Sequence, residues 1–545
     1  MNNNFFRPIG ALVALSTICA PLTAEAAKKK NKKSNEKPNI IFLFTDQHRA
    51  DVFSYAGHPD VQTPNFDKMA EGGMVFTRAY SQDAVSGPSR TSLFTGLYPR
   101  TTGQMDNGAV KTDPVLNCVS LQSTLQENGY RTYAFGKRHL HDAPDKGWTE
   151  TRAHSHSENP NSNYVKWIEE QGYADEFGQD WAAEFGKYPP GNSLAGTKYP
   201  TAKMGTRQTK LPSMFTMEAY SARNTIETIR KHAKSGEPFF CFTSFYRPHQ
   251  PYNPLPEYWA KHDKSKWGEG RNNGGAVAMP ATLREPAENL TPFMKNLRGN
   301  EKGIWCLGLA EEDEQLYRDY ITAYYALVEE IDYWVGEIFR ELEENGMAEN
   351  TIIIYSSDHG EFIGNHGMIE KAAAGHNVYE ETLRVPYMFY WKDKIDGNRK
   401  SSDLVELLDI YPTLVELTGS KLPEMKYELQ GLSLADALLK DKSVDREYTV
   451  SENWSQASII TKDSKLAIWL DPELMYPNGA RDWRNSTNFL FYRQDDPTEV
   501  NNRYQELKDS DEVKKLEAYY AEFESKVPAI GKQEWMEHLK NKKKK

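Results

Sequence analysis

The first long apolar stretch of the chain reads Asn39-Ile40-Ile41-Phe42-Leu43-Phe44-Thr45-Asp46-Gln47. A continuous apolar run that ends in polar residues is typical of a buried parallel strand whose carboxyl end delivers side chains to a site. The pattern recurs three times, and the polar residues that follow the apolar runs lie at 136–139, 246–249 and 356–359. Because the carboxyl ends of parallel strands meet at one edge of a sheet, four such strands predict one shared crevice.

Helical patterns separate these apolar runs. They cover residues 121–129, 216–229 and 316–342. Alternation of strands and helices predicts an α/β sandwich with a mostly parallel central sheet. After residue 445 the segments become shorter and alternate in polarity, and a charged helix follows them. We therefore predict a main domain over residues 37–445 and a smaller C-terminal α+β domain with an antiparallel sheet over residues 446–545.

Two further stretches, residues 149–211 and 250–311, show weak periodicity and many Asn, Gly and Pro residues. Long irregular loops in a compact domain are usually functional or disordered. We expect these two stretches to form the walls of a binding pocket at the sheet edge.

Composition excludes several classes of protein. The 545 residues carry a formal net charge of −11, which argues against a nucleic-acid partner. The hydrophobic content of 39% supports a large core without a membrane span. The four cysteines show no close pairing, so the chain is neither a disulfide scaffold nor a cysteine-type zinc protein.

The N-terminus has the pattern of an export signal. Arg7 supplies positive charge, residues 9–20 are apolar, and Ala24-Glu25-Ala26 has the small-x-small pattern of a cleavage site. We predict a signal peptide over residues 1–27 and a basic spacer over residues 28–36. The mature protein is then expected in the periplasm or outside the cell.

A second stretch carries the candidate chemistry and reads Ala84-Val85-Ser86-Gly87-Pro88-Ser89-Arg90-Thr91-Ser92-Leu93-Phe94-Thr95-Gly96. Ser86 is a small potential nucleophile, and Pro88 suits the first position of a helix. The N-terminal end of a helix directs free N–H groups and a positive dipole at its neighbour, which favours an anion beside Ser86. Arg90 adds a planar set of donors that matches a tetrahedral oxyanion. The alternative is an ordinary loop and helix cap.

This second stretch resembles the signature of the type I sulfatases, which is Ser-x-Pro-Ser-Arg, three further residues, an apolar residue and Thr-Gly. In that family the first residue, Cys or Ser, is oxidised to formylglycine, whose hydrated aldehyde attacks sulfur. The resemblance implies formylglycine at position 86, an alkaline phosphatase-like sandwich and the hydrolysis of sulfate esters. Because the precursor is Ser86 rather than Cys, it also implies a bacterial radical-type maturase as a partner.

The resemblance also implies a divalent-cation site. Asp46, Gln47, Asp358 and His359 match the family's cation ligands, and an oxygen of the modified Ser86 completes the shell. A hard cation with oxygen ligands is usually Ca²⁺. The commonest family pattern is two Asp and then Asp-Asn, so Gln47 removes one negative charge here and His359 offers an imidazole that Ca²⁺ does not favour. We expect Ca²⁺. The combination of Gln47 and His359 resembles the phosphonate monoester hydrolase and choline sulfatase branches, in which a transition metal such as Mn²⁺ can occupy the site, so Mn²⁺ remains open.

Catalytic roles follow from the same resemblance. Gly136-Lys137-Arg138-His139-Leu140 resembles the family's Gly-Lys-Trp-His-Leu, so Lys137 would hold the aldehyde hydrate and a sulfate oxygen, and His139 would be the base on the second hydroxyl. Pro248-His249-Gln250-Pro251 matches Pro-His-x-Pro, which makes His249 the acid on the leaving alcohol. Lys371 would bind a sulfate oxygen, although more residues than usual separate it from Tyr379-Glu380-Glu381. The predicted catalytic set is Ser86, Arg90, Lys137, His139, His249 and Lys371.

We therefore predict a hydrolase that cleaves sulfate esters from sulfated carbohydrates. The candidates for recognition of an acidic sugar are Arg49, Arg138, His141, His366 and His376. A phosphonate monoester or phosphodiester hydrolase of the same superfamily is the main alternative. A phosphotransferase that uses an unmodified Ser86 and a non-enzymatic glycan-binding protein are further alternatives.

Overall fold

The computed structural model describes residues 37–153, 163–190, 193–202, 205–262, 277–291, 294–295, 314–371, 378–453, 455–470 and 487–542. Residues 38–545 form one compact unit. The predicted signal peptide and the basic spacer lie outside the described residues, so both stay predictions.

Within the described residues, nine strands form the main sheet. They are β1 (Asn39–Asp46), β2 (Met74–Tyr80), β3 (Arg131–Gly136), β4 (Glu150–Arg152), β5 (Phe239–Pro248), β6 (Thr351–Ser357), β7 (Arg384–Val385), β8 (Tyr387–Trp391) and β9 (Arg399–Glu406). Their order across the sheet is β4-β3-β5-β1-β6-β8-β2-β7, and β9 pairs with β2. The neighbouring strands from β4 to β6 are all parallel, whereas β8 runs antiparallel to both β6 and β2. The predicted mostly parallel sheet is confirmed.

The four apolar runs predicted as strands lie side by side in the order β3, β5, β1 and β6. Every residue of β1, β5 and β6 is buried, and only the first residue of β3 is exposed. Strands covered on both faces need apolar side chains at successive positions, which explains the continuous runs. The four carboxyl ends therefore meet at one edge of the sheet, as predicted.

Sixteen helices, short 3-10 turns aside, occur in the described part of the chain. They are α1 (Pro64–Glu71), α2 (Ser86–Thr95), α3 (Pro99–Thr102), α4 (Asp113–Asn117), α5 (Leu121–Glu127), α6 (Asn163–Glu170), α7 (Ala174–Phe185), α8 (Met217–Ser235), α9 (Pro256–Ala260), α10 (Glu314–Glu344), α11 (Glu380–Leu383), α12 (Ile410–Thr418), α13 (Ala435–Lys440), α14 (Tyr504–Leu507), α15 (Asp511–Lys526) and α16 (Ile530–Lys542). The three helical patterns predicted before the C-terminal region correspond to α5, α8 and α10.

Helices cover both faces of the main sheet. On one face, α2, α5 and α12 contribute to the apolar cluster that contains Phe42. On the other face, α1, α8 and α10 contribute to the cluster that contains Leu43. Because successive residues of β1 point to opposite faces, one strand anchors both helical layers. This is the three-layer α/β sandwich expected from the alternation of elements.

One expectation about irregular structure was wrong in part. Residues 149–211, interpreted as a long irregular stretch, contain the helices α6 and α7. Tyr164 and Ile168 of α6 and Phe177 and Trp181 of α7 are buried in one local aromatic cluster. Each pair is spaced by four residues, which places its members on one helix face. Short helices rich in aromatic and polar residues show little periodicity in sequence, which explains the error.

A second sheet follows in the C-terminal region. Its strands are β10 (Thr449–Glu452), β11 (Gln456–Ile460), β12 (Ser464–Trp469) and β13 (Phe489–Tyr492), all antiparallel in that order. Helix α15 packs Val513 and Leu516 against this sheet, and Tyr98 and Leu408 of the main part join the same apolar cluster. The predicted antiparallel sheet is confirmed, and the boundary after residue 445 stays a prediction.

None of the helices in the described residues combines the length and the apolar character needed to cross a membrane.

Candidate active site

Four neighbouring strands bring the predicted site residues to one edge of the sheet. At the strand ends, or directly after them, lie Asp46 (β1), Lys137 (β3), His249 (β5) and Asp358 (β6). The register places Asp46 opposite Pro248, so the ends of β1 and β5 coincide. All four side chains are buried, which places their charges in a medium where electrostatic interactions are strong.

Ser86 lies beside this group because it begins helix α2. Val85 has extended backbone and forms the N-cap, so Pro88 occupies the third helical position rather than the predicted first. The Oγ atom of Ser86 lies 3.2 Å from Oδ2 of Asp46 and 3.2 Å from Nε2 of His359. The side chain is 1% exposed. The candidate nucleophile therefore lies between a carboxylate and an imidazole at the N-terminal end of a helix.

Arg90 connects the two carboxylates, one helical turn beyond Ser86. Its Nε donates to Asp358 at 2.8 Å, and one terminal nitrogen donates to Asp46 at 3.0 Å. The other terminal nitrogen donates to the Lys137 carbonyl oxygen at 2.7 Å and to Ser244 Oγ at 3.1 Å. The guanidinium is fully buried, so it compensates charges that water cannot reach.

Three buried side chains form a group that could hold a cation. Ligand atoms of Asp46, Asp358 and His359 lie within 4.8 Å of one another. Nδ1 of His359 lies 2.9 Å from the Gly360 carbonyl oxygen, which can only accept, so Nδ1 carries the proton. Nε2 is then the unprotonated nitrogen, and it is the one that faces Ser86 and the carboxylates. Two carboxylates and a neutral imidazole fit a divalent cation.

The electrostatics agree with this donor set. Burial raises the pKa of Asp46, but Lys137, His249, Arg90 and His359 outweigh burial and hold that pKa well below its ordinary value. Burial lowers the pKa of His359 to about 4, and Lys371 contributes in the same direction. At neutral pH the carboxylate is thus charged and the imidazole neutral, which is the state in which both bind a metal.

Gln47 lies at the same edge with a left-handed backbone, φ 71°. Its backbone N–H donates to Asp358 Oδ1 at 3.1 Å. Its side-chain Nε2 donates to the Tyr252 hydroxyl at 3.2 Å, and its Oε1 accepts from Lys371 Nζ at 3.1 Å. Lys371 therefore reaches the site despite its unusual spacing from residues 379–381. Lys371 already uses one of the two lone pairs of Gln47 Oε1. The role of Gln47 as a cation ligand stays a prediction.

The remaining predicted catalytic residues surround Asp46. Lys137 Nζ lies 2.6 Å from Asp46 Oδ2, and His249 Nε2 lies 3.9 Å from Asp46 Oδ1. Nδ1 of His249 donates to the Gln250 carbonyl oxygen at 2.9 Å, so Nε2 is the nitrogen directed at the site. Burial, together with Lys137 and Arg90, lowers the pKa of His139 well below its usual range. His139 is therefore a neutral imidazole that can accept a proton.

The residues predicted to recognise the sugar are not all available for that role in the structure. Arg49 and Arg138 are half-buried and already form ion pairs, with Asp51 at 2.6 Å and Asp145 at 2.8 Å respectively. The ring of His141 lies 6.1 Å from that of His139, centroid to centroid, so it borders the site. His376 lies outside the described residues. Charge that is already paired is poorly suited to bind an acidic sugar, so the role of these residues in recognition stays a prediction.

His366 does not fit its predicted role. Its side chain is fully buried, and its Nδ1 is hydrogen-bonded to Glu285 while its Nε2 lies 3.5 Å from Glu381. An imidazole enclosed by two carboxylates is a structural ion pair and offers no surface to a ligand. Burial lowers the pKa of His366, but Glu381 and Glu285 outweigh burial and raise it to about 9.

This pKa predicts a pH-dependent contribution to stability. Because the pKa is higher in the folded than in the unfolded chain, the stabilisation is fully present below pH 6.5 and is lost as pH rises towards 9. We expect His366→Gln to lower the free energy of unfolding at pH 6 by on the order of 3 kcal/mol, and by much less at pH 9.5. Chemical denaturation at both pH values measures the difference. The exposed control His538→Gln should show none, and a deficit for His366→Gln that is equal at both pH values would contradict the ion pair.

Several residues that organise the site gave no signal in the sequence. The Tyr324 hydroxyl of α10 donates to the Gln47 carbonyl oxygen at 2.6 Å and accepts from the Arg49 N–H at 3.0 Å. The Tyr252 hydroxyl orients the Gln47 amide. Tyr324 lies on the buried face of the predicted helix, in the same apolar cluster as Tyr252. Periodicity reports burial, but it does not report which hydroxyl reaches a strand end.

Comparison with known proteins assigns the family. The sequence profile of the sulfatase family matches residues 38–420, and a profile of the C-terminal region of N-sulphoglucosamine sulphohydrolase matches residues 364–526. The first match spans most of the chain, so the chain belongs to the sulfatase family and is a sulfuric ester hydrolase. The family generally uses a metal ion and a formylglycine.

The individual relatives have low sequence identity to this chain, but the matched regions cover most of both chains. A sulfatase of Formosa agariphila is 26% identical over 492 residues, covering 86% of this chain and 87% of the relative. The N-acetylglucosamine-6-O-sulfatase of Bacteroides thetaiotaomicron is 25% identical over 487 residues, covering 81% and 78%.

Solved structures show the same fold. A structure in complex with its substrate D-glucosamine-2-N,6-O-disulfate has a TM-score of 0.64 at 21% identity, covering 90% of this chain and 98% of that chain. The phosphonate monoester hydrolase of Agrobacterium radiobacter has a TM-score of 0.70 at 21% identity, covering 91% and 96%. The predicted alkaline phosphatase-like fold is confirmed.

Proposed function

We propose that the protein hydrolyses sulfate esters of carbohydrates with a formylglycine formed from Ser86. The observation that supports this most is the position of Ser86, at 3.2 Å from both Asp46 and His359 and one turn before Arg90. A serine without a catalytic role at the start of a helix does not require a possible cation site beside it. Nor does it require two carboxylates that are bridged by a buried guanidinium. The carbohydrate substrate is supported by the relative from Bacteroides thetaiotaomicron, an N-acetylglucosamine-6-O-sulfatase.

The residues fit the chemistry that such a reaction needs. A formylglycine hydrate supplies a nucleophile with a second hydroxyl, and a divalent cation beside it supplies positive charge against the sulfate oxygens. Lys137, Arg90 and Lys371 add fixed positive charge in a buried site, where it stabilises negative charge that develops on the sulfate oxygens. These cations are held in place by Asp46, Asp358 and Gln47, so they need little reorganisation.

We propose that two histidines transfer protons. His249 presents Nε2 at the site edge, because Nδ1 donates to the Gln250 carbonyl oxygen. It would protonate the departing sugar oxygen from the form that also carries a proton on Nε2. Burial lowers the pKa of His249, whereas Asp46, 3.9 Å from Nε2, favours this doubly protonated form. His139, held neutral by burial beside Lys137 and Arg90, would take the proton of the remaining hydroxyl and allow sulfate to leave. The second hydroxyl removes the need for water to attack sulfur again.

Asp46, Asp358 and His359 would hold the cation, which we propose to be Ca²⁺, with Mn²⁺ as the alternative favoured by the imidazole. A cation that binds only the folded state raises the midpoint of thermal unfolding as its concentration rises. We expect chelator-treated wild type to show this rise with Ca²⁺, and Asp358→Asn to lose most of it because a charged ligand is removed.

The matched control is Asp396→Asn, which removes an exposed carboxylate. It should keep the full cation-dependent rise. Each variant is compared with its own cation-free midpoint, so a general loss of stability does not affect the result. A rise in Asp358→Asn equal to that of wild type would contradict the assignment of this group as the cation site.

The remaining elements of the proposal rest on sequence. Maturation of Ser86 by a radical-type maturase and export to the periplasm or beyond are proposed from the serine at position 86 and from the pattern of residues 1–27. Fractionation of a culture and immunodetection of the mature N-terminus test the second point. A protein found only with the cytoplasm and with residues 1–27 intact would overturn it.

Release of sulfate from an aryl sulfate and from sulfated sugars tests the proposed function directly. The second candidate is phosphonate monoester hydrolysis, favoured by His359 in the cation group and by the fold shared with the hydrolase from Agrobacterium radiobacter. We expect kcat/KM for 4-nitrophenyl sulfate to exceed that for phenyl phosphonate monoesters. The reverse order would favour the second candidate.

A further inference from the structure

Four polar side chains border the site without a role in the proposed chemistry. They are Glu184, Gln250, Glu361 and Glu370, which we refer to as the acceptor cluster. Gln250 directly follows His249, the candidate acid on the leaving sugar, and Glu370 directly precedes Lys371. Through these two neighbours the cluster adjoins the candidate acid and a candidate sulfate-binding lysine.

Contacts place Glu184 in the same region. Its carboxylate lies against Gly205, with Oε2 only 2.3 Å from the position that a Cβ of Gly205 would take. The Gly205 carbonyl oxygen accepts from the Tyr252 N–H at 2.9 Å, and the Tyr252 hydroxyl in turn accepts from Gln47. A short chain of contacts thus links Glu184 to the strand end that carries Asp46. The charges of Glu184 and Glu370 also act together on Tyr246, whose ring meets that of His249 at 5.0 Å.

The cluster contains acceptors that lack donors. Within the described residues, Gln250 Oε1, Glu361 Oε2 and Glu370 Oε2 are buried and receive no hydrogen bond. The other atoms of these groups are engaged, since the Gln250 side chain hydrogen-bonds the Glu370 carboxylate and the Tyr320 hydroxyl donates to Glu361. Each of the three side chains is at most 1% exposed. A buried acceptor without a donor is destabilising, and native proteins rarely keep several of them together.

The acceptor cluster is not composed of acidic residues alone, because Gln250 belongs to it. Its amide oxygen is neutral, so the missing partner is defined by hydrogen bonding and not by charge alone. A ligand that fits must bring N–H or O–H donors. Lys371 is a cation of the site that acts on Glu361 and Glu370, and its Nζ is bound to Gln47 Oε1. A ligand with its own carboxylate would bring acceptors where donors are missing, and it would repel every carboxyl group of the cluster that is ionised.

We propose that the acceptor cluster binds the sugar that carries the sulfate ester, through hydroxyl or amine donors, and thereby selects neutral and amino sugars over uronic acids. This inference rests on the proposed function and names its substrate class. Burial raises the pKa of Glu370 well above its ordinary value and that of Glu184 to about 7, and a hydrogen bond donated by the sugar would favour the ionised form of either group. The ion pairs of Arg49 and Arg138 agree with this, because they occupy two cations that could otherwise bind a uronic acid.

Matched substrates test the inference with the matured wild-type enzyme. Glucose and glucuronic acid sulfated at the same position, for each of positions 2, 3 and 4, differ only at the carboxylate, and glucosamine sulfates form the amine arm. We expect kcat/KM to be at least tenfold higher for the best glucose or glucosamine sulfate than for any glucuronic acid sulfate. Equal or faster release from a glucuronic acid sulfate overturns the inference and leaves the proposed function intact. Absence of release from every substrate, 4-nitrophenyl sulfate included, overturns the proposed function and the inference with it.

Substitutions in the acceptor cluster test whether its residues cause the preference for the sugar. For Glu184→Gln and Gln250→Leu we expect the ratio of kcat/KM for the preferred sugar sulfate to that for 4-nitrophenyl sulfate to fall at least fivefold, mainly through KM. The exposed control Glu343→Gln on α10 should keep the wild-type ratio. If an amine is the donor, Glu184→Gln affects glucosamine sulfates more than glucose sulfates, whereas hydroxyl donors give equal effects. An unchanged ratio in both variants overturns the inference, and if both fail to fold, the wild-type substrate ranking decides it.

Discussion

Ser86→Ala is expected to lower sulfate release by on the order of 10⁴-fold or more, with little effect on folding. The Oγ atom of Ser86 is the proposed precursor of the nucleophile, and it contacts both Asp46 and His359 at 3.2 Å. Alanine keeps the helix start, because Val85 forms the N-cap without a side-chain hydrogen bond. Initial rates with an aryl sulfate, together with the midpoint of thermal unfolding, measure both effects.

Ser92→Ala is the matched control for this substitution. Ser92 lies in the same helix, is fully buried and has no hydrogen bond from its Oγ to any described residue. It should retain activity within a few-fold and unfold at a similar temperature. Sulfate release by Ser86→Ala at the wild-type rate would show that Ser86 is not the nucleophile, and equal losses in both variants would point to disturbed packing of α2 instead.

Arg90→Met is expected to affect stability and activity together. The substitution removes the only guanidinium that contacts both Asp46 and Asp358 among the described residues, at 3.0 and 2.8 Å. Removing one partner of a buried ion pair leaves uncompensated charge and typically costs about 3–5 kcal/mol. Loss of a fixed positive charge that stabilises negative charge developing nearby lowers turnover by about 10²–10³-fold. We expect both losses, measured by chemical denaturation and by initial rates.

An added cation should reduce the loss of stability, because it can replace part of the missing positive charge between the two carboxylates. The control is Arg131→Met, which removes an exposed ion pair with Glu237 at 3.5 Å and should change the free energy of unfolding by less than about 1 kcal/mol. A stable and active Arg90→Met enzyme would mean that the carboxylates are compensated by another group, and the electrostatic part of the proposal would then be wrong.

The part of the fold that carries the site was predictable because burial on both faces leaves a strong pattern. Ile40 to Phe44 are all apolar since β1 lies in the middle of a parallel sheet, and polar residues can follow only where the strand leaves the core. The same reasoning located β3, β5 and β6. Helices α6 and α7 were missed because their buried residues form a small local cluster rather than a long stripe.

The candidate site was predictable where residues stand at strand ends or within a family motif, and not where long-range contacts decide their roles. His366 looked like a free histidine, but Glu285 and Glu381, distant in sequence, enclose it. Lys371 looked misplaced by its spacing, yet its Nζ reaches Gln47. The acceptor cluster joins α7, the residue after His249 and the residue before Lys371, and no local pattern relates these positions.

The mass of the peptide that contains residue 86 tests the central claim most directly. In protein produced together with a radical-type maturase, we predict that this peptide is two hydrogen atoms lighter than the encoded sequence and reacts with a carbonyl reagent, as formylglycine at position 86 requires. The modified fraction should rise in proportion to specific sulfatase activity. An unmodified serine in fully active enzyme would contradict the account.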